Sequence, residues 1–529
     1  MPWHTSQLRF DAIAAAKRRL RSFQNSLTPE LLPRRQLKSS LIATLSDAYV
    51  GHFRLAATKF SDPSKAYEII EEARGRALAD TLRGESENLS TSSDEISIDA
   101  QKEINRIQIA LMHETTRETR QSLLDQLFVQ EQLLLPVRQS RSRLRSDSDR
   151  PKPSPLRKVQ ASLRTDEMLL EYVLGEPESY CLQITRAGAA VLIIPSGKKQ
   201  VEDLVDDYLS AVRSRQPEDT AGHKLFSLLL QPAIGLKSPM RIIIVPDGKL
   251  HLVPFDGIKN QEGKYVLETH VVTYVPSATV LHLLRQSRAP RSVNQTVLGV
   301  GDVIYPQPPK VVSTTTISTN ARANSVPDFF DVEAVRFPDL PGSRQEVMSI
   351  AGIIGGTQLL LGANATEAAL RSLPLADFRV IHFAVHGVAN TQFPDRAALV
   401  LSRSSASAED GLLQVREIRD LPLNADLVTL SACDSGNGRL LGEEGIASLE
   451  RAFLLAGAKS VIASLWTADD TYTIVLMKRL YQHLVDGSDN AAALRQAKLD
   501  LLREFGDQAF PVFWAGFILV GDGSTMIFN

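Results

Sequence analysis

Along the first 145 residues hydrophobic positions recur at helical spacing, and from about residue 160 they gather into short β-type runs. In Ser64–Arg83, Ala66, Ile69, Ile70, Ala73, Ala77, Leu78 and Leu82 share one helical period. Small alanines at such positions suit closely packed helix pairs. The stretch 1–85 therefore reads as a helical arm, either repeat-like or a few packed helices, since no two copies recur at a fixed period. The polar, Ser-, Glu- and Asp-rich stretch 84–98 reads as a loop. Residues 99–145 then read as a long helix or helical hairpin, with Ile104, Ile107, Leu111, Leu123, Leu124, Leu127 and Phe128 as its apolar stripe. Charges of both signs fill its other positions, which is the pattern of a solvated outer face. The prolines at 151, 153 and 155 end the helical part, so 86–150 forms a second segment.

Beyond this point strands alternate with helices, which predicts an α/β sheet. The stretch 155–290 offers strands at Met168–Val173, Tyr180–Thr185, Ala190–Ile194 and Arg241–Val245, with helices near 199–213 and 223–230. Residues 291–342 read as a linker, with a mobile loop at 303–328 rich in Pro, Ser, Thr and Asn. In 343–525 the expected strands are Gln358–Leu361, Val380–Ala384, Ala398–Leu401, Leu427–Ser431, Ser460–Leu465 and Phe517–Val520. Helices fit between them at 343–353, 366–372, 413–418, 444–456, 470–485 and 489–504. That alternation implies a mostly parallel sheet flanked by helices.

Composition narrows the class. Apolar residues make up 43% and charged residues 23% of 529, with a net charge of -2, so neither nucleic acid nor an anionic membrane is indicated as a partner. No apolar run approaches the roughly 18 residues of a membrane span, and the basic residues among the first 24 do not read as a secretory leader. Two cysteines, Cys181 and Cys433, exclude a disulfide scaffold and a thiolate zinc site and point to the cytoplasm. No cofactor and no metal is expected.

Two strand ends carry candidate chemistry, Val380-Ile-His-Phe-Ala-Val-His386-Gly387 and Leu427-Val-Thr-Leu-Ser-Ala-Cys433-Asp434-Ser435-Gly436. In an open parallel sheet, chemistry sits beyond the C-terminal strand ends. If the two strands are neighbours, His386 and Cys433 share an edge. His386 precedes Cys433 by 47 residues, close to the caspase spacing of about 50. A free thiol near pKa 8.5 is mostly protonated at neutral pH, and an adjacent imidazole raises its nucleophilic fraction. Backbone N–H groups near Gly387 and Cys433 would form an oxyanion hole. His382, two residues earlier on the strand, reads as structural, and Cys181 as a small buried hydrophobe.

These residues resemble a known family. The block from His382 to Asp522 is similar to the CHAT domain, a caspase-like cysteine peptidase module commonly fused to tetratricopeptide repeats. Phe383-Ala-Val-His386-Gly387, Leu430-Ser-Ala-Cys433-Asp-Ser-Gly436, Gly442-Glu-Glu-Gly445, Ala463-Ser-Leu-Trp466 and Phe513-Trp514-Ala-Gly-Phe517 carry the resemblance. Leu169-Leu-Glu-Tyr172, His251-Leu-Val-Pro254-Phe255 and Leu340-Pro-Gly342-Ser-Arg344 extend it to about residues 155–525. It implies a His386–Cys433 dyad and a caspase-like fold with an active half (343–525) and a pseudo-catalytic half (155–290) marked by His251. Val388 and Asp434 depart mildly from the family pattern without removing a catalytic group.

Ser464-Leu-Trp466-Thr-Ala-Asp469-Asp470 also resembles separase, where an Asp after the Trp lines the pocket for a basic P1 side chain. Asp470 is the better match and Asp469 the second, while both also suit a helix N-terminus. The resemblance implies a cysteine endopeptidase acting on a protein substrate, with the helical arm recruiting a regulatory partner. The rival class is a catalytically silent scaffold acting by protein–protein interaction. Self-cleavage in the 303–328 loop would have only Lys310 and Arg322 as basic sites.

Overall fold

The computed structural model describes residues 49–74, 91–113, 116–143, 153–217, 219–234, 240–286, 295–305, 337–388, 394–404, 409–431, 443–467 and 469–528. Two compact units divide the chain, Met1–His52 and Phe53–Asn529. Of the first, only residues 49–52 are described, and they are helical. The second carries the whole sheet. Cys433, Asp434, Gly442, Lys310, Arg322 and residues 306–328 of the expected loop lie outside the described residues.

Helix α1 (Pro63–Ala73) starts on Asp62, whose carboxylate accepts from the Lys65 N–H at 3.0 Å, with proline at the first helical position. Of its apolar stripe Ala66 and Ile70 are buried and Ile69 half-buried, Tyr67 is buried beside them, and Ala77, Leu78 and Leu82 lie outside the described residues. Helices α2 (Thr91–His113) and α3 (Arg117–Arg143) form the expected hairpin, burying Ile104, Ile107, Leu111 and Leu127. The loop expected at 84–98 is overturned from Thr91 onward, where α2 begins. Ser, Asp and Glu are residues of loops and equally of helix starts, where the orphan N–H groups and the helix dipole favour them.

After α4 (Leu156–Ser162) come β1 (Glu167–Val173), β2 (Ser179–Thr185), β3 (Ala189–Ile194), α5 (Lys198–Arg213), β4 (Arg241–Val245), β5 (Val271–Tyr274) and α6 (Ala278–Gln286). The second half runs β6 (Gln295–Gly301), α7 (Pro341–Ile353), β7 (Gln358–Leu361), β8 (Phe378–Phe383), β9 (His386–Val388), β10 (Ala398–Val400), β11 (Leu412–Gln414), α8 (Val415–Ile418) and β12 (Leu427–Leu430). It closes with α9 (Glu443–Ala456), β13 (Ser460–Ser464), α10 (Asp470–Val485), α11 (Asn490–Phe505) and β14 (Phe517–Gly521). The stretch 291–342, expected as a linker, therefore contains a strand. Gln295–Gly301 escaped because its two glycines and flanking polar residues dilute the apolar run.

Among the described residues both halves share one 11-stranded sheet, ordered β3-β2-β1-β4-β5-β14-β13-β12-β8-β6-β7. In the second half β7, β6, β8, β12 and β13 run parallel. β14 reverses against β13 and runs parallel to β5, and β5, β4 and β1 follow that direction. β1, β4 and β5 thus point opposite to β6, β7, β8, β12 and β13, and the C-terminal ends of these two sets lie on opposite edges. His251, after β4, and His386, after β8, consequently occupy opposite edges of one sheet.

α1 and the Arg74 that follows it are fastened to the first half. The Glu71 carboxylate accepts from the N–H groups of Ala278 and Thr279 at 2.9 Å each, capping α6. Arg74 pairs with Asp247 at 3.1 Å, in the turn leading to His251. No described helix is long and apolar enough to cross a membrane.

Candidate active site

Strands β8 and β12 are parallel neighbours in the register Leu427↔Val380 to Leu430↔Phe383, as the strand-end argument required. One more bond extends each: Ala384 N–H donates to Val300 O at 2.8 Å, and Ser431 N–H to Phe383 O at 2.9 Å. The chain then leaves the sheet at Ala384–Val385. His386 opens β9 in a separate three-stranded antiparallel sheet, with His386 opposite Val400 and Gly387 opposite Leu399. The described part of the β12 end stops at Ser431, two residues before Cys433.

The His386 side chain is buried and tightly held. Nε2 lies 2.7 Å from Pro338 O. A carbonyl only accepts, so Nε2 carries the hydrogen, and in the neutral ring Nδ1 is the basic nitrogen. Tyr305 and Phe337 lie against the imidazole with ring centroids at 4.6 and 5.5 Å. The Tyr305 hydroxyl accepts from the His386 main-chain N–H at 3.1 Å. Sequence reasoning missed all three of these partners. Tyr305 and Pro338 fell in a stretch read as linker, and the one available signal was the Leu340-Pro-Gly342-Ser-Arg344 motif two residues after Pro338.

Asp470 is the first residue of α10 and Asp469 its N-cap, whose carboxylate accepts from Thr471 N–H at 2.9 Å. Partial burial, then repulsion from Asp469 and Glu346, pushes the Asp470 carboxyl above its ordinary value, while His386 pulls it down. Asp470 thus belongs to the electrostatic surroundings of His386. Its Oδ2 also packs at Gly342, where a Cβ would stand 3.2 Å away. Trp466 faces elsewhere: it is buried against Gly516 and its indole N–H donates to Val512 O at 2.7 Å.

His382 is fully buried, with Nδ1 at 3.1 Å from the Tyr481 hydroxyl and Nε2 at 2.9 Å from Glu346 Oε1. At the opposite edge, burial and then Arg451 lower His251 to about 4, so that it is neutral near pH 7. Cys181 sits on β2, and burial drives its thiol well up. Among the described residues no group of three or more His, Cys, Asp or Glu side chains is placed to hold a metal ion.

Glu450, on α9, is buried, and desolvation raises it to about 8. Its Oε1 has no hydrogen-bond partner among the described residues. A folded-state value above the ordinary 4.5 means the folded chain holds the proton more tightly. The resulting stability is complete below about 4.5 and is lost as pH rises towards 8. Glu450→Gln mimics the protonated form, so its stability advantage over wild type should be small at pH 5 and grow through pH 8. Urea midpoints that shift in parallel at both pH values would contradict this.

The sequence matches the CHAT domain family over residues 219–522. Human tetratricopeptide repeat protein 28 is 24% identical over 337 residues, covering 56% of this chain and 13% of its own. The mouse protein of that name is 25% identical over the same extent. The chain thus spans about one eighth of the curated relatives it matches. Among solved structures, Saccharomyces cerevisiae separase in complex with securin aligns over 92% of this chain and 37% of that one, at 10% identity and a TM-score of 0.43. The Arg-specific cysteine proteinase gingipain R aligns over 62% of this chain and 76% of its own, at 10% identity and a TM-score of 0.34.

Proposed function

The chain belongs to the CHAT domain family, and from that premise we propose that it is a cysteine endopeptidase with a His386–Cys433 dyad. The observation that carries this reading is the orientation of His386. Its Nε2 lies 2.7 Å from Pro338 O, which only accepts, so the neutral ring carries its hydrogen on Nε2 and its basic lone pair on Nδ1, at the edge where β8 and β12 end side by side.

In this mechanism Nδ1 takes the thiol proton and the sulfur attacks the scissile carbonyl carbon. The oxyanion is met by backbone N–H groups of Gly387 and Cys433. The imidazolium then protonates the leaving amine, and water, deprotonated by His386, hydrolyses the thioester. None of these steps calls for a metal or a cofactor. Asp470 would favour a basic P1 residue, since an acid beside the site rewards Arg or Lys and leaves an apolar side chain unmatched. Asp469, as helix cap, supports it.

The helical arm is the regulatory input, and its substrate or partner is a protein. Glu131 of α3 holds Arg396 through two bonds of 2.8 and 2.9 Å, with the Arg396 side chain buried. Arg396 lies two residues before β10, the strand paired with β9. Arg416 of α8 donates to Gln101 and Gln108 of α2 at 3.2 and 3.1 Å. A partner that moves the hairpin would pull on the small sheet that carries His386.

The test is a profile of new N-termini in the native cell, wild type against Cys433→Ala. Cleavages after Arg or Lys, present only with wild type, are expected. Equal cutting after apolar and basic residues would remove the assignment of Asp470. If no wild-type-specific cut is found and an electrophilic peptide probe never labels Cys433, the non-enzymatic scaffold is the better reading. Glu131→Gln in the same assay should change the rate and leave the residue preference alone; an unchanged rate would remove the hairpin from regulation.

A further inference from the structure

We infer that Tyr305 and Phe337 are positioning residues that clasp the His386 ring and aim its Nδ1, an inference that rests on the peptidase reading. A hydrogen bond at Nε2 fixes one point of the imidazole, and the remaining degree of freedom to be held is rotation about the line from Cγ to Nε2. That rotation displaces Nδ1, the nitrogen that would face the thiol. Two flat side chains against the ring oppose it. Tyr305 meets the imidazole at 54° and Phe337 at 37°, and their own centroids lie 6.0 Å apart, so the three rings close a triangle. Contacts of this kind favour tilted arrangements. Phe337 also directly precedes Pro338, so one dipeptide supplies both a ring and the accepting carbonyl.

The Tyr305 side of the clasp stands on a braced turn. Asp302 follows β6 with φ at 55°, in the left-handed region that non-glycine residues rarely adopt. Strain of that kind persists only where surrounding contacts over-determine it. Those contacts are present. The Asp302 N–H donates to Ser343 Oγ at 3.0 Å, and Arg344 pairs with the Asp302 carboxylate at 2.5 Å. The Ile304 N–H donates to Ser402 Oγ at 2.9 Å. Ser343 and Arg344, residues of the 340–344 motif that the chemistry itself does not use, thus hold the turn that delivers Tyr305. The Tyr305 hydroxyl then fixes the His386 main chain.

The test is the rate of Cys433 alkylation by iodoacetamide in the full chain, with kcat and KM on a peptide substrate alongside. Assignment of the label is clean, because the other cysteine, Cys181, is buried with its thiol pushed up. Wild type should alkylate faster than His386→Ala. Tyr305→Leu and Phe337→Ala should each lose about 10- to 100-fold in alkylation and in kcat with KM nearly unchanged, the scale expected when a reacting group is misplaced by about an ångström. Phe337→Tyr keeps the ring and should retain most of the rate, which a general loss of stability would not explain, while Tyr305→Phe keeps the ring but loses the hydroxyl that accepts from the His386 N–H and should fall between wild type and Tyr305→Leu. The ¹⁵N resonances of His386 should report the Nε2–H tautomer in wild type and averaging in Tyr305→Leu. If wild type reacts no faster than His386→Ala, the peptidase reading fails and the clasp with it. A wild-type advantage retained undiminished in Tyr305→Leu and Phe337→Ala would overturn the clasp alone.

Discussion

Cys433→Ala should remove cleavage of a peptide substrate by about 10⁴-fold or more in kcat/KM, with the unfolding midpoint unmoved. The size follows from what the thiol supplies. Without it no acyl-enzyme forms, and substrate binding and oxyanion donors alone remain, which in comparable hydrolases leave a residual of about 10³–10⁴ over water. His386→Ala should cost nearly as much, because an isolated thiol near pKa 8.5 is only a few per cent ionised at pH 7 and the leaving amine then lacks its acid. Residues that act as one unit are not additive, so the double variant should fall little below either single one. A rate for the double variant that multiplies the two losses would show that His386 and Cys433 work independently. Cleavage that survives Cys433→Ala would place the nucleophile elsewhere. Cys181 cannot take over, since it is buried on β2 and desolvation keeps its thiol protonated.

Strands and helices of the second half were legible because their apolar runs are local. Gln358–Leu361 and Asp470–Val485 fall where the pattern puts them, and the neighbouring strand ends at Phe383 and Leu430 follow from alternation plus the parallel-sheet rule, whereas the turn of His386 into a second, antiparallel sheet does not. What was not legible is non-local. No local pattern says that β1, β4 and β5 run opposite to β6, β7, β8, β12 and β13, because that depends on β14 reversing against β13. Nor does it say that a carbonyl at 338 and a ring at 305 converge on an imidazole at 386. Those contacts join segments that read as linker, where turn geometry and not periodicity decides the path. The motif at 340–344 marked the place without giving its role, which is to brace Asp302 and start α7 beside Pro338.

Lys498 was hidden in the same way, and it carries the largest expected effect on stability. On α11 it falls in a sequence of alternating apolar and charged residues, where a lysine ordinarily faces water. Instead it is fully buried, with Nζ 2.5 Å from Asp256 Oδ2 and 5.7 Å from the centre of the Trp514 ring. Asp256 belongs to the short turn Phe255–Gly257 that follows the His251 segment, so this ion pair ties the first half of the sheet to a helix of the second. Burial lowers the ammonium and raises the carboxyl, each against the pull of its partner, so desolvation outweighs the attraction between the charges. Lys498→Met should therefore destabilise by about 3–5 kcal/mol, because it strands a carboxylate away from water. Adding Asp256→Asn removes that charge while keeping an oxygen for the local backbone N–H groups, and should restore more than half of the loss. Urea midpoints of the two variants against wild type read both effects. A loss below about 1 kcal/mol for Lys498→Met would mean that water reaches Asp256. A double variant no better than the single one would mean that Lys498 acts by packing its stem against Trp514 and not by its charge.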